Sequence, residues 1–81
     1  MIRGRVTGQV WATKRIETLP HGALLSVELE NGGELIALDV LGCGVGESVL
    51  MTTGSVAAGY FTAMKAPIDA LIIGSIDEQA G

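Results

Sequence analysis

The densest group of residues that could do chemistry is a glycine loop, Gly42-Cys43-Gly44-Val45-Gly46, followed by Glu47. A phosphate-binding loop needs a strand before it and a helix after it, with G-x-G-x-x-G spacing or a following Lys-Ser/Thr. This loop has G-x-G-x-G spacing, no Lys-Ser/Thr follows, and residues 47–53 have a strand pattern. The sequence therefore predicts a tightly packed turn, with no dinucleotide or other cofactor.

A thiol and an imidazole are also present, as the single cysteine Cys43 and the single histidine His21. A catalytic pair of this kind needs a third, orienting group and a pocket for substrate. A chain of 81 residues has little interior for such a pocket. We expect Cys43 to act as a small apolar residue and His21 to lie in a solvated Pro-His-Gly turn, and we expect no enzymatic activity.

Three aspartates, Asp39, Asp69 and Asp77, were considered as metal ligands or general acids. The sequence offers no ligand set at metal-binding spacing around them, so no metal site is expected. Asp39 differs from the others because it lies within an apolar stretch, and a buried carboxylate must be hydrogen-bonded or paired. We predict that Asp39 accepts hydrogen bonds from the N–H groups of the glycine loop that follows it.

Strand patterns occupy most of the chain around these groups. Apolar and polar residues alternate from residue 2 to 13, with Gly4 and Gly8 on the apolar side, where a missing side chain permits a bend or a close backbone approach. Asn31-Gly32-Gly33 predicts a hairpin. Further strands are predicted at residues 23–30, 34–41, 47–53 and 69–77, with at most one short helix within 55–61. Residues 1–81 thus form a single all-β domain, a small five-stranded β-barrel.

The apolar content exceeds what such a small core can absorb. Apolar residues make up 48% of the chain and charged residues 17%, and mean hydropathy is +0.47. The predicted strand 34–41 is apolar on both faces, so we expect one face to lie in the core and the other, with Ile36 and Leu38, against a second subunit. Trp11 is predicted to anchor the same interface.

Composition also excludes several partners and locations. Apolar runs reach four residues, far short of the roughly 20 that a membrane-spanning helix needs. No signal peptide is recognised, and one cysteine cannot form an intrachain disulfide. A net charge of −4 and three aromatic residues disfavour nucleic acid. We expect a cytoplasmic oligomer.

Five motifs, taken in order, resemble those of a known family. They are RVTGQVWATK at 5–14, LLSVE at 24–28, ALDVLGCGVGE at 37–47, GSVA at 54–57 and PIDALIIGSID at 67–77. The chain is thereby similar to the EutN/CcmL family of bacterial microcompartment vertex proteins. Three positions depart from the family pattern: Ala58 stands where the family has arginine, Cys43 where it has alanine, and Ser75 where it has isoleucine.

The resemblance implies an OB-like barrel assembled as a homopentamer within a microcompartment of the cytoplasm. Such pentamers cap shell vertices beside hexameric shell proteins. The glycine loop 42–46 with Glu47 is expected near the five-fold axis, where only small residues let five backbones approach. The rival interpretation is an OB-like module that binds a small ligand or an oligomer outside any shell. The enclosed pathway is not specified by these residues.

Overall fold

The computed structural model describes residues 1–19, 21–59 and 68–77. Its elements are β1 (Ile2–Val10), β2 (Ala23–Leu29), β3 (Glu34–Asp39), β4 (Ser48–Thr53), α1 (Gly54–Gly59) and β5 (Ala70–Ile76). The strands close into a barrel in the order β1-β2-β3-β5-β4. The prediction of a five-stranded barrel with one short helix is confirmed. The predicted helix positions 60 and 61 lie outside the described residues.

Strand β1 pairs with β2 along one edge and with β4 along the other. It is antiparallel to β2 from Gly4 to Val10 and antiparallel to β4 from Ile2 to Arg5. The register with β2 shifts between Val6 and Gly8, which marks a bulge that bends the strand. The strand ends at Val10 and not at residue 13 as predicted. Trp11 therefore lies beyond the strand, in the connection to β2.

The β2–β3 hairpin turns where the sequence predicts. Gly32 has a φ of +92°, and Gly33 donates its N–H to the Asn31 side-chain oxygen at 2.9 Å. The Leu29 N–H donates to the Gly33 carbonyl at 2.7 Å, which closes the turn.

The core has two parts on opposite sides of β3. The barrel interior is filled by Val6, Leu25, Val27, Ala37, Val49, Met51, Ala70 and Ile72. On the outer side of β3, Leu38 packs with Ala57 of α1 and Leu71 of β5. Leu38 is 1% exposed, so the prediction that it faces another subunit is wrong. Leu38 is covered by α1 of its own chain, and not by a neighbouring subunit.

Gly4 marks the closest approach within the barrel. A Cβ atom there would stand 2.5 Å from Val27 Cγ1 and 2.7 Å from the Glu28 carbonyl oxygen, whereas a Cβ on Gly8 would meet nothing within 4 Å. Both glycines lie on β1, but only at Gly4 do other atoms lie close to the position that a Cβ would take. Only Gly4 is required by packing.

We expect Gly4→Ala to lower the free energy of unfolding by about 1–3 kcal/mol because the added methyl group overpacks the barrel. Gly8→Ala is the matched control and should change stability by less than about 0.5 kcal/mol. Urea unfolding followed by circular dichroism measures both variants. Equal effects from the two substitutions would contradict the packing argument.

Candidate assembly surface

The buried carboxylate of Asp39 organises the glycine loop. It lies at the end of β3 and is 3% exposed. Its Oδ1 accepts the N–H of Leu41 at 3.0 Å, and its Oδ2 accepts the N–H groups of Gly42 at 3.0 Å and Cys43 at 2.7 Å. The predicted role of Asp39 is confirmed. Three charge-assisted bonds set the direction in which the chain leaves the strand.

A second carboxylate, that of Glu47, holds the far side of the loop. It accepts the N–H of Gly44, while the Glu47 N–H donates to the Gly44 carbonyl at 3.2 Å. Its Oε1 accepts the Ser75 hydroxyl of β5 at 3.1 Å. The sequence did not predict this contact between Ser75 and Glu47. The departure from the family's isoleucine was the available signal, since a hydroxyl near a strand end seeks a partner.

The end of the loop is attached to β1. Gly46 donates its N–H to the Val6 carbonyl at 2.8 Å, and the Val6 N–H donates to the Glu47 carbonyl at 3.0 Å. Arg5 Nη1 donates to the Gly46 carbonyl at 2.8 Å. Gly42 and Gly46 have φ values of +89° and +93°, which side chains other than glycine rarely adopt. The loop is therefore fixed by β1, β3 and β5 together.

This geometry leaves the loop unsuited to phosphate. The N–H groups of residues 41, 42, 43, 44 and 46 already have acceptors within the chain. Two of those acceptors are carboxylates, so an approaching phosphate would meet negative charge where a phosphate-binding loop offers donors. The loop is a structural element with an exposed tip.

The Cys43 thiol is held in its protonated form. Burial is the main reason that its pKa rises from 9.0 to about 11, and the charge of Asp39, a thiol hydrogen bond to Asp39 and the charge of Glu47 add to the effect. The thiolate is the nucleophile in cysteine chemistry, so this environment suppresses it. His21 is exposed, as predicted, and is not among the groups that perturb the thiol.

The acidic, His and Cys residues in the described part of the chain form no metal-binding cluster. Within residues 1–19, 21–59 and 68–77, no three His, Cys, Asp or Glu side chains meet in a way that could hold a metal ion. No helix in these same ranges is long and apolar enough to cross a membrane.

Exposed apolar side chains are the most prominent feature of the single chain. Large ones are Met1, Trp11, Ile16, Ile36, Val40, Leu41, Val45, Val56 and Ile73. Trp11 is 80% exposed, Val45 at the loop tip 69% and Ile36 on β3 51%. Exposed apolar side chains of this number and size on a short chain mark candidate surfaces for contact with other molecules.

Comparison with known proteins shows which family this chain belongs to. The family model described as ethanolamine utilisation protein EutN/carboxysome matches residues 1–77. The chain belongs to the EutN/CcmL family. It is 38% identical over 79 residues to the bacterial microcompartment shell vertex protein EutN of Salmonella typhimurium, covering 90% of this chain and 80% of that protein. It is 36% identical over 83 residues to the shell vertex protein PduN of the same organism, covering 90% and 91%.

Solved structures of microcompartment shell proteins have a fold similar to that of this chain. The pentameric shell protein MSM0273 from the RMM microcompartment has a TM-score of 0.93 and 58% identity, covering 100% of this chain and 95% of that one. The GrpN pentameric microcompartment shell protein from Rhodospirillum rubrum has a TM-score of 0.80 and 31% identity, covering 95% and 93%. The predicted family and the predicted role as a structural shell protein, and not an enzyme, are confirmed.

We expect Asp39→Ala to leave three N–H donors without an acceptor, at a cost of about 1–3 kcal/mol in unfolding free energy. Amide hydrogen exchange should accelerate at Leu41, Gly42 and Cys43. The Gly33 N–H, which bonds to Asn31, is the internal control and should keep its rate. Asp39→Asn retains one acceptor oxygen and should fall between the two. Unchanged exchange at all three amides would contradict the role of Asp39.

The thiol provides a second test. At pH 8 the raised pKa reduces the thiolate fraction of Cys43 about 100-fold relative to a thiol of pKa 9.0. Alkylation by iodoacetamide should be slower in the folded protein than in urea by at least this factor. Asp39→Asn should speed alkylation of the folded protein, and Glu47→Gln should do so less. Because the neutral thiol is favoured in the fold, its stabilising effect is present below pH 9 and is lost as pH rises toward 11.

Proposed function

We propose that this chain forms homopentamers that cap the vertices of a bacterial microcompartment shell beside hexameric shell proteins. The observation that carries the proposal is the combination of a closed barrel with many exposed apolar side chains. These side chains have no covering partner within the described chain, so they are available for contact with other copies. The pentameric relatives described above supply the copy number.

The glycine loop is the element that we place nearest the five-fold axis. The N–H groups of Gly42, Cys43, Gly44 and Gly46 are satisfied from within, so these donors can approach other copies without becoming unpaired. Gly44 adds no side chain at the exposed tip, and a Cβ there would only touch Glu47 Oε2 at 3.5 Å. Crowding at the axis, and not the fold of one chain, would then be the reason for a glycine at position 44.

Gly22 does not serve as a neutral comparison for that loop. A Cβ there would stand 2.6 Å from the Asp39 carbonyl oxygen. Substitution of Gly22 would therefore disturb the barrel itself. Gly44→Ala is the cleaner probe of assembly, because nothing within the chain opposes it.

The alternative of a ligand-binding module has no observation in its favour. OB-like barrels that bind oligonucleotides or oligosaccharides use aromatic platforms and, for nucleic acid, basic grooves. The described strands carry no aromatic side chain, and Arg3 on β1 pairs with Glu30 at 3.5 Å.

Native mass spectrometry of the purified chain should show five copies. Ile36→Glu places a charge on an exposed position of β3 and should yield folded monomers, because the charge would be desolvated in the interface. Thr7→Glu adds the same charge at an exposed position of β1 and should leave the pentamer intact. Leu38→Glu should unfold the chain, since Leu38 is buried within it.

A wild-type chain that remains monomeric at micromolar concentration would overturn the proposal. If the wild type is pentameric and Ile36→Glu is pentameric too, β3 is not in the interface.

A further inference from the structure

A cyclic pentamer needs two different surfaces on each copy, because each subunit meets its two neighbours through opposite halves of one heterologous contact. The contact inferred below rests on the pentamer proposed above, and its two halves must be complementary to each other. Each half should be exposed in the single chain, and the two halves should not be in contact within one chain.

The first region is the connection between β1 and β2, residues 11–19, here named the basic arm. It carries Trp11 and Ile16, which are 80% and 63% exposed. Lys14 and Arg15 lie between them and are also exposed. In the part of the chain that the structure describes, neither cation forms an ion pair. The basic arm thus presents two cations flanked by two large apolar side chains.

The second region is a groove beside the first half of β3, here named the acidic groove. It encloses about 590 Å³ and is lined by Glu34, Leu35, Ile36, Thr53, Gly54, Asp69 and Ala70. The register between β3 and β5 covers only Leu38 with Leu71 and Asp39 with Ile72. Glu34, Leu35 and Ile36 pair with β2 on one side and border the groove, in place of β5, on the other.

The charges of the two regions are opposite. Glu34 and Asp69 are the ionisable residues of the acidic groove, and both are exposed. Glu34 accepts a hydrogen bond from the Ser26 hydroxyl, and neither carboxylate forms an ion pair with a described residue. The exposed Ile36 and Leu35, which also packs against the barrel core, supply apolar lining of the groove, as Trp11 and Ile16 supply apolar side chains on the arm.

One chain does not bring the two regions together. Val10, where the basic arm begins, pairs with Leu24, and Leu24 pairs with Leu38 at the far end of β3. Glu34 is four residues away along that strand, a distance of about 13 Å. The arm joins β1 and β2 at this far end, so both of its points of attachment are remote from the groove of its own barrel.

We propose that the basic arm of one copy docks in the acidic groove of the next copy, and that five such contacts close the ring. Trp11 fills the apolar floor formed by Leu35 and Ile36, and Lys14 and Arg15 meet Glu34 and Asp69. A buried aromatic side chain commonly dominates the affinity of an interface, while the charge pairs set register and association rate.

Charge reversal tests this contact. Lys14→Glu with Arg15→Glu gives an arm variant, and Glu34→Lys with Asp69→Lys gives a groove variant. Each should reduce the pentamer fraction in native mass spectrometry at least about tenfold, because like charges then face each other. The four substitutions in one chain restore opposite charges at every contact and should restore the pentamer. Mixing the two variants should not restore it fully, since a ring of five cannot alternate without one mismatched contact.

Glu17→Lys is the control for charge sign within the arm. It makes the arm more basic, so it should retain the pentamer or strengthen it, and Lys14→Glu alone should weaken it. Circular dichroism of each variant establishes that the barrel is folded. Trp11→Ala should also reduce the pentamer, and the fluorescence maximum of Trp11 should shift to shorter wavelength on assembly.

The outcomes separate the two proposals. A wild-type chain that is not pentameric would defeat the proposed function. A pentameric wild type whose arm and groove variants both remain pentameric would defeat the arm-to-groove contact alone. Failure of the fourfold variant to assemble would also overturn the contact.

Discussion

The burial of the Asp39 carboxylate at the end of β3 is the interaction on which the rest of the site depends. An apolar strand that ends in a charged group must satisfy that charge, and the three N–H groups of residues 41–43 do so. Because the acceptor and the donors are close in sequence, the turn is set locally. The same carboxylate helps keep the Cys43 thiol neutral.

Glu47 extends this arrangement from one turn to the whole barrel. Its side chain reaches Gly44 in the loop and Ser75 on β5, and its carbonyl group accepts the Val6 N–H of β1. The loop therefore depends on strands that are distant in sequence. A loop held in this way has little freedom to bind a ligand by induced fit, and it offers a rigid surface of small residues for close packing against other copies.

The small size of the chain explains why assembly would bury apolar surface that the single barrel leaves exposed. A barrel of 81 residues has a core of limited volume, and its second cluster beneath α1 adds only a few side chains. The large apolar side chains that remain exposed lie at Met1, on the basic arm, in and beside the glycine loop, and on β3, α1 and β5. Their separation on different parts of the barrel suits a head-to-tail ring, in which one surface of each copy meets a different surface of the next.

Local pattern determined the strands, the hairpin, the role of Asp39 and the family, because each depends on residues close in sequence or on motifs in order. The end of β1 at Val10 and the position of Trp11 beyond it needed the tertiary structure, since alternation in 2–13 continues past the point where pairing with β2 stops. Leu38 and Ile36 looked equivalent because strand alternation gives two faces but does not say what covers them. Only the placement of α1 over one end of β3 buried Leu38 and left Ile36 exposed.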